Sequence, residues 1–169
     1  MALIIEDGTI VENANSFATV AECRAFADAR GLDLPNEDAD VEKLLVSACD
    51  FLFSLEKDFQ GTREHVDQEL PFPRDTIRLF SVDISGMIPG ILKKAQCRLA
   101  FDASQNDLQA TGSGRVVKKE GVGPLQVEYA DDGASNPQVN LTAALTILEP
   151  LFKDSSTANG GNINFTATR

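Results

Sequence analysis

The chain holds few side chains able to do chemistry, and none of them has the partners that chemistry needs. The single histidine, His65, lies in the run REHVDQE with carboxylates on both sides. An imidazole beside an acid can act as a general acid–base group or as one metal ligand. With no second histidine and no CxxC or Cys/His spacing, His65 reads as a surface-loop residue. Cys23, Cys49 and Cys97 are far apart and odd in number, and each falls in a predicted helix; they read as buried, reduced thiols. In GMIPGILKK, Gly86 and Gly90 precede Lys93. That outline evokes a phosphate loop but misses the GxxxxGK[ST] spacing and lacks a clear feeding strand, so it reads as a turn and a helix start. The acidic runs NEDADVE and ADDG do not alternate ligands or close on a glutamate as a calcium loop does. No Ser/His/Asp set or paired-carboxylate pocket can be inferred. No catalytic, metal-binding or cofactor-binding residue is proposed, and the chain is not read as an enzyme.

The elements that would position any site are mostly helical. At 169 residues, 43% hydrophobic and 24% charged, the chain suits one domain with a real core and a tail. No apolar run reaches bilayer length. MALIIEDGT lacks a basic segment before a long apolar stretch, so no signal peptide is expected and synthesis in a cytoplasm is. Ala2 to Ile5 reads as an edge strand or arm. Thr19-Val20-Ala21-Glu22 matches a capping box, and Phe17, Val20, Cys23, Phe26 and Ala27 form the stripe of a first helix over 19–30 that Gly31 ends. Asp38 is the expected cap of a second helix over 39–57, whose stripe runs through Val41, Leu44, Leu45, Ala48, Phe51, Leu52 and Leu55. Residues 58–87 are expected to be irregular, with Pro71 and Pro73 fixing an extended path. A third helix is predicted from Ile88-Pro89 to about Ala103, with Ile88, Ile91, Leu92, Ala95 and Leu99 buried. A fourth is predicted from about Leu141 to Phe152, with Leu141, Leu145, Leu148 and Phe152 apolar and Asn140 or Thr142 as its cap.

Between the last two helices, RVVKKEGVGPLQVEYA (residues 115–130) reads as a β-hairpin. Leu125, Val127 and Tyr129 alternate with Gln126 and Glu128 around a GVGP turn. The fold class is therefore mainly α. It is a small bundle of three to four helices over residues 1–152, with one protruding β-hairpin at about 115–130. An extended, flexible C-terminal tail occupies 153–169. Leu44, Leu45, Phe51, Leu52, Ile91, Leu92, Ala95 and Leu99 are the expected core, and Pro71-Phe72-Pro73-Arg74 is expected to pin the 58–87 segment to it.

Charge narrows function further. Fifteen basic against 26 acidic residues give a net charge of −11, which opposes sequence-independent binding to phosphates. It suits a passage along which DNA slides without adhering.

Four segments in order resemble one family of tailed-phage proteins, labelled DnaT-like. IIEDGTIVENANSFATVAECRAFADARG resembles its opening EDGTG…ANSY run, with Phe17 at the aromatic position. QELPFPR (residues 68–74) resembles Q.L.WPR, with Phe72 in the Trp place. IPGILKKAQCRLAF and VVKKEGVGPLQVEY resemble two further segments, so the likeness covers about Leu3 to Tyr129.

The resemblance implies two functions. The family label implies single-stranded DNA binding by a replication protein. The similarity in element order to phage head-completion proteins implies a head–tail connector in the virion neck. That connector would be a closed ring of about a dozen copies between the portal protein and a tail terminator or other neck protein, with DNA passing through unbound. The connector is the expected function. A single-strand binder wants exposed aromatics over a positive groove, whereas this chain has no Trp and one Tyr, and its phenylalanines fall mostly on predicted buried stripes. A hairpin with unpaired edges is suited to completion by a neighbouring subunit. Lys118, Lys119, Gly121, Gly123 and Tyr129 of the hairpin and Phe165 of the tail are the candidate subunit or partner contacts.

Overall fold

A capping box starts the first helix. In the computed structural model, which describes residues 2–105, Leu108, the backbone of 120–122 and 125–127, and 141–153, the Thr19 hydroxyl accepts the Glu22 N–H (3.1 Å) and the Glu22 carboxylate accepts the Thr19 N–H (2.8 Å). Helix α1 then spans Val20–Asp28. Gly31 adopts φ 61°. That left-handed turn lets its N–H reach the Asp28 carbonyl and the Leu32 N–H reach the Ala27 carbonyl, which closes the helix as the sequence predicts.

Helix α2 spans Asp38–Ser54, with one correction at each end. Asp38 is not the cap: Glu37 holds that position and makes no side-chain cap bond. Asp38 lies in the first turn, where Arg24 of α1 holds its carboxylate at 2.7 Å while also donating to the Pro35 and Asn36 carbonyls. The guanidinium thus draws the carboxylate outward, away from the helix amides. At the other end the α-helix gives way to a tighter 3₁₀ turn over Glu56–Asp58.

Helix α3 spans Gly90–Gln105, directly after Pro89. Helix α4 is shorter than expected, Thr142–Leu148, followed by a 3₁₀ turn over Glu149–Leu151. Pro150 lacks the N–H that an α-helical continuation would need. Leu141 occupies the cap position, and Thr142 is the first helical residue rather than the cap; Asn140 lies outside the described residues. Among the described residues, no helix is long and apolar enough to cross a membrane.

Helix α3 lies at the centre, packed against α1, α2 and α4. Leu45, Leu52, Leu92, Ala95 and Leu99 are fully buried as the periodicity predicts, each Leu contributing roughly 1.5–3 kcal/mol. Leu44, Phe51 and Ile91 are only half-buried at the rim of that core. The interior positions are filled by residues from outside the helices: Phe17, Phe59, Phe72 and Ile77. The Phe72 ring meets Phe59 edge-on at 5.1 Å and Phe17 at 6.3 Å.

The 58–87 segment follows the mostly irregular path expected of it, with two short strand pairs that were not expected. Strand β1 (Thr62–Arg63) pairs with β2 (Arg74–Asp75), and β3 (Arg78–Leu79) pairs with β4 (Val82–Asp83), both antiparallel. Such short pairs carry no hydrophobic alternation to read, and side chains hold them instead. The expected pin at residues 71–74 is present, with Pro71, Phe72, Pro73 and Arg74 all buried. Near the N-terminus Ile5 makes a single parallel bridge to Ser16. The buried Glu6 carboxylate gathers the N–H groups of Gly8, Ile10 and Val11, so the expected arm is a knotted loop lying on the bundle.

The predicted hairpin exists as a strand pair, β5 (Glu120–Val122) with β6 (Leu125–Val127), in the register Glu120↔Val127, Gly121↔Gln126, Val122↔Leu125. Its side chains, its protrusion and the tail from 154 onward lie outside the described residues.

One amide ties these layers together. Gln96 of α3 is fully buried; its Oε1 accepts the N–H groups of Phe17 (3.0 Å) and Ala18 (2.9 Å), and its Nε2 donates to Ser16 Oγ (2.8 Å) and to the Leu45 carbonyl (2.9 Å). Replacing Gln96 by Leu strands buried backbone donors and should cost about 2–4 kcal/mol, read as a lower urea midpoint with an unchanged m-value.

Candidate nucleic-acid interface

The strongest candidate site lies where α2 ends. On a helix that buries one face, the run Phe51-Leu52-Phe53 cannot be wholly inside. Leu52 is buried, and Phe53 is left 46% exposed. The 3₁₀ turn then presents Glu56 and Lys57, the β1–β2 pair presents Arg63 and Arg74, and the chain returns through Lys153. With Ser54, Gly61 and Thr62 these residues line an open cleft of about 660 Å³. In a strongly acidic protein this cleft holds four cations and one carboxylate.

The carboxylate organises the cations. Arg63 grips Glu56 with two bonds, Nε to Oε1 at 2.6 Å and Nη2 to Oε2 at 2.8 Å, and spends Nη1 on the Gln68 carbonyl. Those bonds hold the Glu56 carboxyl below its ordinary range, and Arg63 is raised in turn. Arg74 is buried, and each of its three nitrogens donates to a backbone carbonyl. Its Nε reaches the Gln60 carbonyl (2.6 Å), Nη1 that of Pro71 (3.1 Å) and Nη2 that of Gly61 (2.8 Å). Burial lowers its pKa, partly offset by Glu56, with Nη1 3.7 Å from the Glu56 Oε1. Arg74 is therefore a brace, Arg63 is paired with Glu56 and bonded through all three of its nitrogens, and Lys57 and Lys153 are the exposed cations. Lys153 leans across the turn to donate to the Lys57 carbonyl (2.7 Å). The Arg63 guanidinium lies 5.5 Å from the Phe53 ring centroid, within cation–π range. An aromatic face beside exposed cations can stack a base and neutralise adjacent phosphates.

Sequence reading missed Phe53, Lys57, Arg63 and Lys153. Phe53 was legible as the third of three consecutive apolar residues on an amphipathic helix; the described phenylalanines are mostly buried or half-buried as expected, with Phe53 and Phe80 the exposed exceptions. Lys153 joins the cleft only through tertiary contact.

Elsewhere the expected groups fall as follows. His65 sits exposed in its loop, 3.8 Å from Asp67 Oδ2. All three cysteines are buried and free, and burial pushes the Cys49 thiol up to about 12. Among the described residues no group of three or more His, Cys, Asp or Glu side chains converges as a metal site would. Of the contact candidates, Gly121 lies in β5 opposite Gln126; Lys118, Lys119, Gly123, Tyr129 and Phe165 lie outside the described residues.

A second exposed feature is the β3–β4 turn. Phe80 and Ser81 both adopt positive φ, 49° and 68°, conformations that a tight hairpin usually gives to Asn and Gly. The Phe80 ring is 78% exposed.

The family profile described as "Putative DnaT-like ssDNA binding protein" matches residues 1–169. The chain belongs to this family. No curated protein and no solved structure matches it. The structure gives three of the four family-like motifs a scaffolding role. Glu6 of IIEDGT knots the N-terminal loop, Gln68, Phe72 and Arg74 of QELPFPR are buried supports, and Gln96 of IPGILKKAQ joins the layers.

Because Glu56 has a lowered pKa, its ion pair contributes stability above its ordinary value of 4.5 and loses it as pH falls through the lowered value. Urea titrations should show the Glu56→Gln variant less stable than wild type by roughly 1 kcal/mol at pH 7, with the gap closing as the medium is acidified below that window.

Proposed function

We propose that the protein is a weak, salt-sensitive binder of single-stranded DNA, with the Phe53 ring stacking on a base and Lys57 and Lys153 meeting phosphates beside it. The observation that carries this reading is the gathering of an exposed aromatic with outward cations in one cleft of an otherwise acidic chain. The family description supports it. The net charge of −11 limits the affinity, since the rest of the surface repels the strand. About two phosphate contacts imply a slope of log K against log salt near −1.4.

Fluorescence anisotropy of a labelled oligothymidylate at low and moderate salt tests this. Phe53→Ala should weaken binding about tenfold, within the range for one stacked base, and Lys57→Glu should weaken it and flatten the salt dependence. A wild-type titration with no change in anisotropy at the lowest salt would remove the reading.

A second reading is supported by the acidic surface and by the exposed apolar turn at Phe80. It is a structural virion protein, a head–tail connector made in the host cytoplasm and assembled as a ring in the phage neck against the portal and a tail protein. The acidic charge would then keep transiting DNA from adhering, and the exposed apolar turn would meet another subunit or neck protein. Negative-stain images of the protein mixed with portal should show added density at the portal's outer end. An unoccupied portal would exclude the connector whatever the DNA titration shows.

A further inference from the structure

The fold brings two of the three cysteines together. Cys23 lies on α1 and Cys97 on α3, both buried in the same apolar core. Bonds on either side fix their meeting. Glu22, one residue before Cys23, holds the ammonium of Lys93, one helical turn before Cys97, at 3.0 Å. Gln96, one residue before Cys97, accepts the N–H groups of Phe17 and Ala18 on the segment entering α1, at 3.0 and 2.9 Å. Between these anchors the Cys97 thiol donates a hydrogen bond to the Cys23 sulfur. Thiols in contact across a fixed helix pair meet the first demand of a disulfide, that the two side chains point at each other.

The same hydrogen bond divides the labour between the two sulfurs. It lowers the pKa of Cys23, helped by Arg24, and together with burial it raises that of Cys97. Cys23 is thus the more readily ionised thiol, and the thiolate is the form that reacts. Cys49, on α2, is the contrast. Burial pushes it up to about 12, and no cysteine bears on it.

We propose that Cys23 and Cys97 are a redox pair, which hydrogen peroxide converts to an intramolecular disulfide that pins α1 to α3. The Cys23 sulfur attacks one peroxide oxygen and the O–O bond breaks. The departing hydroxide takes the Cys23 proton as water, leaving a sulfenic acid. The Cys97 sulfur then attacks the sulfenic sulfur, the S–O bond breaks, and the Cys97 proton leaves with that hydroxide as a second water. Two thiols are oxidised and one peroxide is reduced to two waters. The bridge joins the two layers that Gln96 aligns and restricts the unfolded chain. Neither cysteine lines the Phe53 cleft, so the inference stands apart from the DNA-binding reading.

Treating the reduced, native protein with hydrogen peroxide tests it. The intact mass should fall by two hydrogens, and alkylation after denaturation should find one thiol left. Peptide mapping should join the Cys23 and Cys97 peptides with Cys49 free. The Tm should rise by about 5–10 °C and fall back on addition of dithiothreitol. In Cys97→Ala, peroxide should leave Cys23 as a sulfenic acid that dimedone traps, whereas Cys49→Ala should still form the bridge. Four results would each overturn the proposal: three free thiols after oxidation, a bridge that includes Cys49, oxidation that stops at sulfinic acid, or the same mixture of pairings from native and urea-unfolded protein.

Discussion

Gln96 uses both acceptor positions of its oxygen and both donor hydrogens of its nitrogen in a site with no access to water. An uncharged amide can do this at low cost, because each buried polar atom has a partner and no net charge leaves water. The bonds run in three directions: to the backbone entering α1, to the Ser16 hydroxyl, and to a carbonyl in the middle of α2. Helix α3 is thereby fixed to two neighbours at one depth. The rest of the packing follows from that alignment. Leu45 meets the α3 stripe, Phe17 reaches Phe72, and Phe72 reaches Phe59.

The Phe59 end of this chain of contacts positions the cleft. Arg74 gathers three carbonyls from Gln60, Gly61 and Pro71, folding the 58–75 loop back on itself. Gly61 has φ 68°, and a Cβ there would lie 2.0 Å from the Asp75 carbonyl oxygen, so the loop closes this tightly only around a glycine. Glu56 sits between Arg63 and Arg74 and lets two guanidinium groups approach without mutual repulsion dominating. Phe152 stacks on Phe59 at 5.3 Å and brings Lys153 to the same place. The cleft is therefore an outcome of the core's aromatic stack.

Charge and apolar exposure are unevenly spread over the surface. The end of α2 gathers Lys57, Lys153 and the Glu56–Arg63 pair around Phe53, and the exposed Phe80 ring sits on the β3–β4 turn. An acidic exterior weakens any contact with phosphates. The two proposed functions draw on different parts of this surface, and a protein that handles single strands and one that assembles beside transiting DNA place different demands on it.

What could be read from residues alone was whatever repeats along the chain. Helical periodicity placed α1, α2 and α3 within a few residues, the Thr19–Glu22 box and Gly31 set the limits of α1, and the alternation at 125–129 marked a strand pair. The exposed loop position of His65 and the burial of the three cysteines were expected from the same reading. Pro71 to Arg74 announced a pinned segment because two prolines restrict the path. The cap at Asp38 and the strand pairs within 58–87 did not follow, since each depends on a group brought from elsewhere, Arg24 for the first and the Arg74 bonds to the Gln60 and Gly61 carbonyls for the second, whereas Pro150 marks the early end of α4 in the sequence itself. The cleft and the strained Phe80 tip belong to the same class. Periodicity reports which face of an element turns inward, but a site made of Phe53, Arg63 and Lys153 joins residues up to 100 positions apart, and only the closed core sets their distances.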